Sequence, residues 1–166
     1  MDFKKIIEKL TQEKKTISTM ESCTGGGVAN AITNIEGASE ILKFSAVTYS
    51  NEYKIKMGVN RKTIDSFSVY SIEVAQEMAY NISKFANSNY GVGITGKLNR
   101  ADINNNFGED NEVFISIYDK DNNTYTNDSI KVYERNRKLN KKIVIDRIIS
   151  KIQELIINKS IKKTNQ

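Results

Sequence analysis

The chain has 166 residues, 39% hydrophobic and 27% charged, enough for one domain with a buried core. It has no histidine and one cysteine, which excludes a Ser-His-Asp triad, a Cys-His pair and an internal disulfide within this chain and argues strongly against a zinc site of the usual ligand types. The net charge of +5 comes from lysines spread along the chain, a pattern that fits solubility and attraction for anionic ligands better than a nucleic-acid footprint.

No apolar run approaches the ~18 residues that mark a membrane span. The start of the chain is charged and amphipathic, unlike a signal peptide. A cytoplasmic protein is expected from these features and from the single thiol. Residues 2–12 place Phe3, Ile6, Ile7 and Leu10 at helical spacing, with Asp2 as the cap. Residues 16–21 alternate β-favouring side chains and predict a strand. A glycine turn follows, then a short helix over 28–33 that Gly37 breaks. Residues 38–42 predict a further helical turn.

Residues 43–49 predict a second strand, and Ser50 or Asn51 caps a helix over 52–57 that Gly58 ends. Residues 61–67 predict a short helix. Ser71 then caps a long helix to about residue 86, whose apolar face is Ile72, Ala75, Met78, Ala79, Ile82 and Phe85. Residues 90–95 predict a central strand. The polar stretch 96–111 has no periodicity, and a loop that long is usually functional or mobile. Residues 112–118 and 124–132 flank a turn and predict a hairpin. The last predicted helix covers 143–157, with Val144, Ile148, Ile152, Leu155 and Ile156 on one stripe. Residues 160–166 are expected to be a polar tail outside a single domain over 1–159.

Helices alternating with strands, followed by a late hairpin, predict an α/β domain with a mixed sheet covered on both faces. Ligands of open α/β sheets sit beyond the carboxyl ends of strands. Those ends carry Ser22, Cys23 and Thr24, then Thr48, Tyr49, Ser50 and Asn51, then Thr95 and Gly96. The turn at Gly25, Gly26 and Gly27 leads into a helix start, which favours negative charge. It matches neither G-x-G-x-x-G nor a P-loop. Without histidine, Ser22 needs another base, and Lys54 lies one helical turn past the second strand. In that scheme Tyr49 relays or holds the proton, Thr95 orients the lysine or substrate, and the Gly25 and Gly26 amides hold an oxyanion. The plainer alternatives stand beside it: Ser22 as a turn residue, Lys54 as a solvated lysine, Tyr49 and Thr95 as strand ends, and Cys23 as a buried filler.

Four blocks occur in order: Glu21-Ser22-Cys23-Thr24-Gly25-Gly26, Val47-Thr48-Tyr49-Ser50-Asn51-Glu52-x-Lys54, Val69-Tyr70-Ser71-x-Glu73-Val74-Ala75, and Gly93-Ile94-Thr95-Gly96. Together they resemble the CinA C-terminal-domain family, which includes nicotinamide mononucleotide (NMN) deamidase. The resemblance covers roughly residues 3–157 and implies the stand-alone form. It implies a three-layer α/β/α sandwich with a mixed, largely parallel sheet. It also implies hydrolysis of the NMN carboxamide by serine and lysine, without cofactor or metal, in a homodimer. By motif position Ser22 is the nucleophile, Lys54 the base, and Tyr49 and Thr95 the supporting groups. The expected substrate contacts are Cys23, Thr24, Gly25, Gly26, Asn51 and Gly96, with Arg137 or Arg135 meeting the phosphate. The chain departs from the family after Thr95-Gly96. A loop of the type I-A-G-P-G-G is replaced by Lys97-Leu98-Asn99-Arg100-Ala101-Asp102, which puts the substrate in question. A nucleotide-binding member without turnover is the alternative. A DNA-associated protein rests on the charge alone.

Overall fold

The computed structural model describes the backbone of residues 3–164 and the side chains of residues 3–158. Asp2, the expected cap, and residues 165–166 of the expected tail lie outside the described residues. The elements run α1 (Phe3–Gln12), β1 (Ile17–Glu21), α2 (Gly27–Thr33), a 3-10 turn (Ala38–Glu40), β2 (Leu42–Val47), α3 (Asn51–Lys56), α4 (Arg61–Phe67), α5 (Ile72–Ala86), β3 (Tyr90–Gly96), β4 (Glu112–Asp119), β5 (Thr124–Lys131) and α6 (Arg137–Thr164).

The five strands form one sheet in the order β2-β1-β3-β4-β5. β1 pairs in parallel with β2 and β3, while β4 runs antiparallel to both β3 and β5. The sheet is therefore mixed in equal parts, and its parallel half carries the strand ends that matter. Every residue of β3 is buried, as expected for a strand with neighbours on both sides and helices on both faces.

Strand alternation sends the two sets of side chains to opposite layers. Ile17, Val92, Ile94, Ile115 and Ile117 pack with the apolar faces of α1, α2 and α6. Met20 packs on the other face with Val74, Met78 and Ile82 of α5 and with Val59 and Val69. On α1, the predicted stripe Phe3, Ile6, Ile7 and Leu10 is the buried one. On α5 the stripe is shifted: Val74, Ala75, Met78, Ala79, Ile82 and Ser83 are buried, whereas Phe85 is 65% exposed. Phe85 instead meets the Phe44 ring of the edge strand β2, with ring centroids 5.0 Å apart.

Capping follows the residue types. Ser50 accepts the Tyr53 amide at the head of α3, and Ser71 accepts the Val74 amide at the head of α5. α6 begins six residues before the start that its apolar spacing predicts, at Arg137, and its backbone continues to Thr164. Asn136 accepts the Lys138 and Leu139 amides and starts the helix there. Residues 137–139 are exposed and the first buried residue of the helix, Asn140, is polar, so apolar periodicity alone misses this turn.

Candidate active site

The parallel arrangement of β1, β2 and β3 brings their carboxyl ends to one edge of the sheet. β1 ends in Glu21, whose side chain is fully buried. Its carboxylate accepts the Thr24 hydroxyl at 2.7 Å, the Val28 amide at 2.9 Å and the Ala29 amide at 3.0 Å. An acidic side chain thus caps α2 from inside the sheet and neutralises its partial positive end. The chain makes this return through Gly25 and Gly26, at φ +60° and +87°, a left-handed conformation that glycine adopts without steric cost.

Ser22 follows, buried, at the floor of a cavity of about 560 Å3. Its amide bonds back to the Ile94 carbonyl of β3, which fixes the turn to the sheet. From the next strand end, α3 carries Lys54 back over β1. Lys54 is only 2% exposed. Its Nζ donates to Ser22 Oγ at 3.0 Å and to the Thr48 carbonyl at 2.8 Å. Burial of the ammonium lowers its pKa from 10.5 to about 8, against smaller upward pulls from Cys23 and Asp102. Cys23 also lines the cavity, but burial pushes its thiol up to about 12. It stays protonated and is a poor nucleophile.

Several other expected residues reach the same cavity. Asn51, Gly96, Tyr49 and Arg137 line it. Tyr49 is 64% exposed and its hydroxyl accepts from Arg137 Nη2 at 3.0 Å, so it anchors the arginine. Arg135 is exposed and does not line the cavity. Thr95 and the turn residues Thr24, Gly25 and Gly26 do not line it either. The Thr95 hydroxyl donates to the Val69 carbonyl at 2.9 Å and so holds the segment ahead of α5. The Gly25 amide is used by the Ser22 carbonyl. The α2 start that the sequence marks for an oxyanion is filled by Glu21. The amides of Cys23 and Thr24 donate to no carbonyl among the described residues.

A family model described as the CinA C-terminal domain matches residues 3–156. The chain belongs to the CinA C-terminal domain family. It is 42% identical over 111 residues to a CinA-like protein of Flavobacterium psychrophilum, covering 65% of this chain and 26% of the relative. It spans about a quarter of the length of the curated relatives it matches. The crystal structure of the competence/damage inducible protein CihA from Agrobacterium tumefaciens aligns at 26% identity and a TM-score of 0.78, over 93% of this chain and 91% of that one. A CinA superfamily protein of Klebsiella pneumoniae aligns at 18% identity and 0.82, over 95% and 99%, and shares the fold.

The wall opposite Ser22 comes from the loop where this chain departs from the family pattern. Lys97, Leu98, Arg100, Asp102 and Asn105 line it. Lys97 is buried and pairs with Asp110 at 3.1 Å, its ammonium 5.1 Å from the Tyr70 ring centroid. Tyr70, ahead of α5, donates its hydroxyl to Asp102. Burial first, and this bond second, raise the Tyr70 pKa, while the same bond is the largest cause lowering that of Asp102. Sequence reasoning gave the loop a role by its length and position but not its partners. Tyr70 is a spectator in the linear motif, and only the fold brings it to Asp102. Among the described residues no His, Cys, Asp and Glu group is arranged to hold a metal ion.

Proposed function

We propose that the protein is an amidohydrolase that cleaves the carboxamide of nicotinamide mononucleotide to nicotinate mononucleotide and ammonia. One observation carries this reading: the buried 3.0 Å contact of Lys54 Nζ with Ser22 Oγ at the cavity floor. A serine is a weak nucleophile until a neighbour takes its proton. With its pKa near 8, about a tenth of Lys54 is neutral at pH 7, against roughly three in ten thousand for a solvated lysine.

In the neutral amine one N–H stays on the Thr48 carbonyl and the lone pair is free for the serine proton. Ser22 Oγ then attacks the carboxamide carbon. The amides of Cys23 and Thr24, which donate to no carbonyl among the described residues, are the donors offered to the oxyanion. Lys54 returns the proton to the leaving nitrogen, which departs as ammonia and leaves an ester on Ser22. Water, deprotonated by the same amine, cleaves the ester and restores the serine. Arg137 and Arg100, at the cavity wall, supply charge for the phosphate.

The test is ammonia release from NMN by the purified protein and by Ser22→Ala. Release that disappears in a folded Ser22→Ala variant supports the reading. A nucleotide-binding role without turnover is favoured by one observation: Asn51 already bonds Asn105 at 3.0 Å across the cavity. That alternative gains if calorimetry finds NMN binding unharmed by Ser22→Ala and the wild type releases no ammonia.

A further inference from the structure

The loop between β3 and β4 is rich in asparagine and aspartate and contains no regular element, yet it forms a cavity wall. Its order depends on what it is tied to. Asp102 sits at the centre of those ties. Its carboxylate accepts the Tyr70 hydroxyl from the segment ahead of α5. The same oxygen accepts Asn105 Nδ2 at 3.0 Å, and the other accepts the Asn104 amide at 2.9 Å. Asn105 Oδ1 in turn accepts Asn51 Nδ2 at 3.0 Å. Asn51 is the first residue of α3, the helix that carries Lys54. One carboxylate therefore links two separate parts of the scaffold, one of them the helix of the amine.

We propose that Asp102 is a positioning residue, holding the 97–110 loop closed over Ser22 and Lys54 by joining Tyr70 to Asn105 and, through it, to Asn51 at the head of α3. This rests on the reading of Lys54 as the base, but its structural part stands without it. A second consequence is electrostatic. The titratable and charged groups around the amine are Cys23 after β1, Tyr49 after β2, Tyr70 ahead of α5, Lys97, Arg100 and Asp102 in the loop, and Arg137 at the head of α6. Of these, Cys23 and Asp102 act to keep Lys54 charged. The Cys23 thiol stays protonated to about pH 12. Glu21, the buried carboxylate before Ser22, is turned away to Thr24 and the α2 amides, so Asp102 is the one carboxylate among the residues that line the cavity with Lys54. The loop thereby closes the cavity and, through Asp102, opposes part of the burial effect that lowers the Lys54 pKa.

Two variants separate the tether from the charge. Asp102→Ala removes both. Asp102→Asn removes the charge and keeps an oxygen that can accept from Tyr70 and Asn105. Hydrogen exchange reads the loop, with the β3 amides of Val92 and Ile94 as the control for the fold. The 13Cε titration of Lys54 in lysine-labelled protein, assigned by its loss in Lys54→Met, reads the charge. In Asp102→Ala, exchange of amides 98–107 should quicken about tenfold or more, because hydrogen bonds to a charged acceptor are lost, while Val92 and Ile94 stay protected. In both variants the Lys54 midpoint should fall, and in Asp102→Asn the loop should remain largely protected. Unchanged loop exchange in Asp102→Ala overturns the tether. A Lys54 midpoint that moves in neither variant overturns the electrostatic role. Neither readout needs a substrate, so failure of NMN turnover leaves the test intact.

Discussion

The Thr48 carbonyl holds Lys54 Nζ at 2.8 Å, nearer than the serine at 3.0 Å. The amine is thus fixed from the residue that follows β2, and in the proposed reaction its protonation governs the rate. The rate of amide hydrolysis should rise with pH through about 8, the value to which burial lowers Lys54, and level off above it. A pH profile of kcat/KM checks this. A profile flat from pH 6 to 9 would place the base elsewhere.

The same shift has a sign for stability. Lys54 gives up its proton near pH 8 when folded and near 10.5 when unfolded. Between these values the unfolded chain binds more protons, so this group makes stability rise with pH across that window. Below pH 8 its burial cost is present in full, about 3 kcal/mol by the size of the shift. Lys54→Met removes the buried charge and keeps much of the volume. It should abolish turnover while leaving thermal stability equal or higher at pH 7, as read by calorimetry. A variant that loses both fold and activity would contradict this.

The Cys23 thiol touches the cavity without a part in the proposed chemistry, which uses only the backbone amide of this residue. Its thiol is held up to about 12 by burial. Cys23→Ala should retain turnover within a few-fold, and the native thiol should resist iodoacetamide at pH 8 until the chain is denatured. Rapid alkylation of the native protein would show a thiolate that this geometry does not provide.

Glu21 shows where the linear sequence was legible and where it was not. The strand, the glycine turn and the helix after it were all readable, because β-favouring alternation, glycine and small helical residues are local signals. That Ser22 and Lys54 share a strand-end edge was also readable from parallel topology and one helical turn of spacing. What fills the α2 N-terminus was not, since an acidic residue closing a strand looks the same whether it faces solvent or turns inward. Likewise the pairing of Tyr70 with Asp102 joins residues 32 apart, and no periodicity encodes it. The Phe85 misreading has the same root: the helix pattern has no knowledge of where the sheet ends. Glu21→Ala should cost about 2–4 kcal/mol, because it strands buried amides and hydroxyls. Urea denaturation measures it, and a loss under ~0.5 kcal/mol would mean that water replaces the cap.

The close seat of α5 on β3 yields a sharper test of the scaffold. A Cβ at Gly93 would lie 2.1 Å from the Ala75 carbonyl oxygen and 2.6 Å from the Ala79 nitrogen; one at Gly91 would lie 2.0 Å from the Ala79 carbonyl oxygen. These contacts are to helix backbone, which cannot rotate away, so a methyl group must push α5 off the sheet. Such overpacking costs about 1–3 kcal/mol and sometimes more. The displaced helix begins just after Tyr70, and its neighbour Val69 is held by Thr95 from the same strand. Gly93→Ala should therefore lower the melting temperature and weaken substrate binding together. Gly108→Ala, in a loop with nothing within 4 Å of the added Cβ but with φ at +78°, should cost only the left-handed backbone strain of about 1 kcal/mol. Equal losses in the two variants would show that backbone strain, and not the approach of α5 to β3, sets the tolerance of this fold.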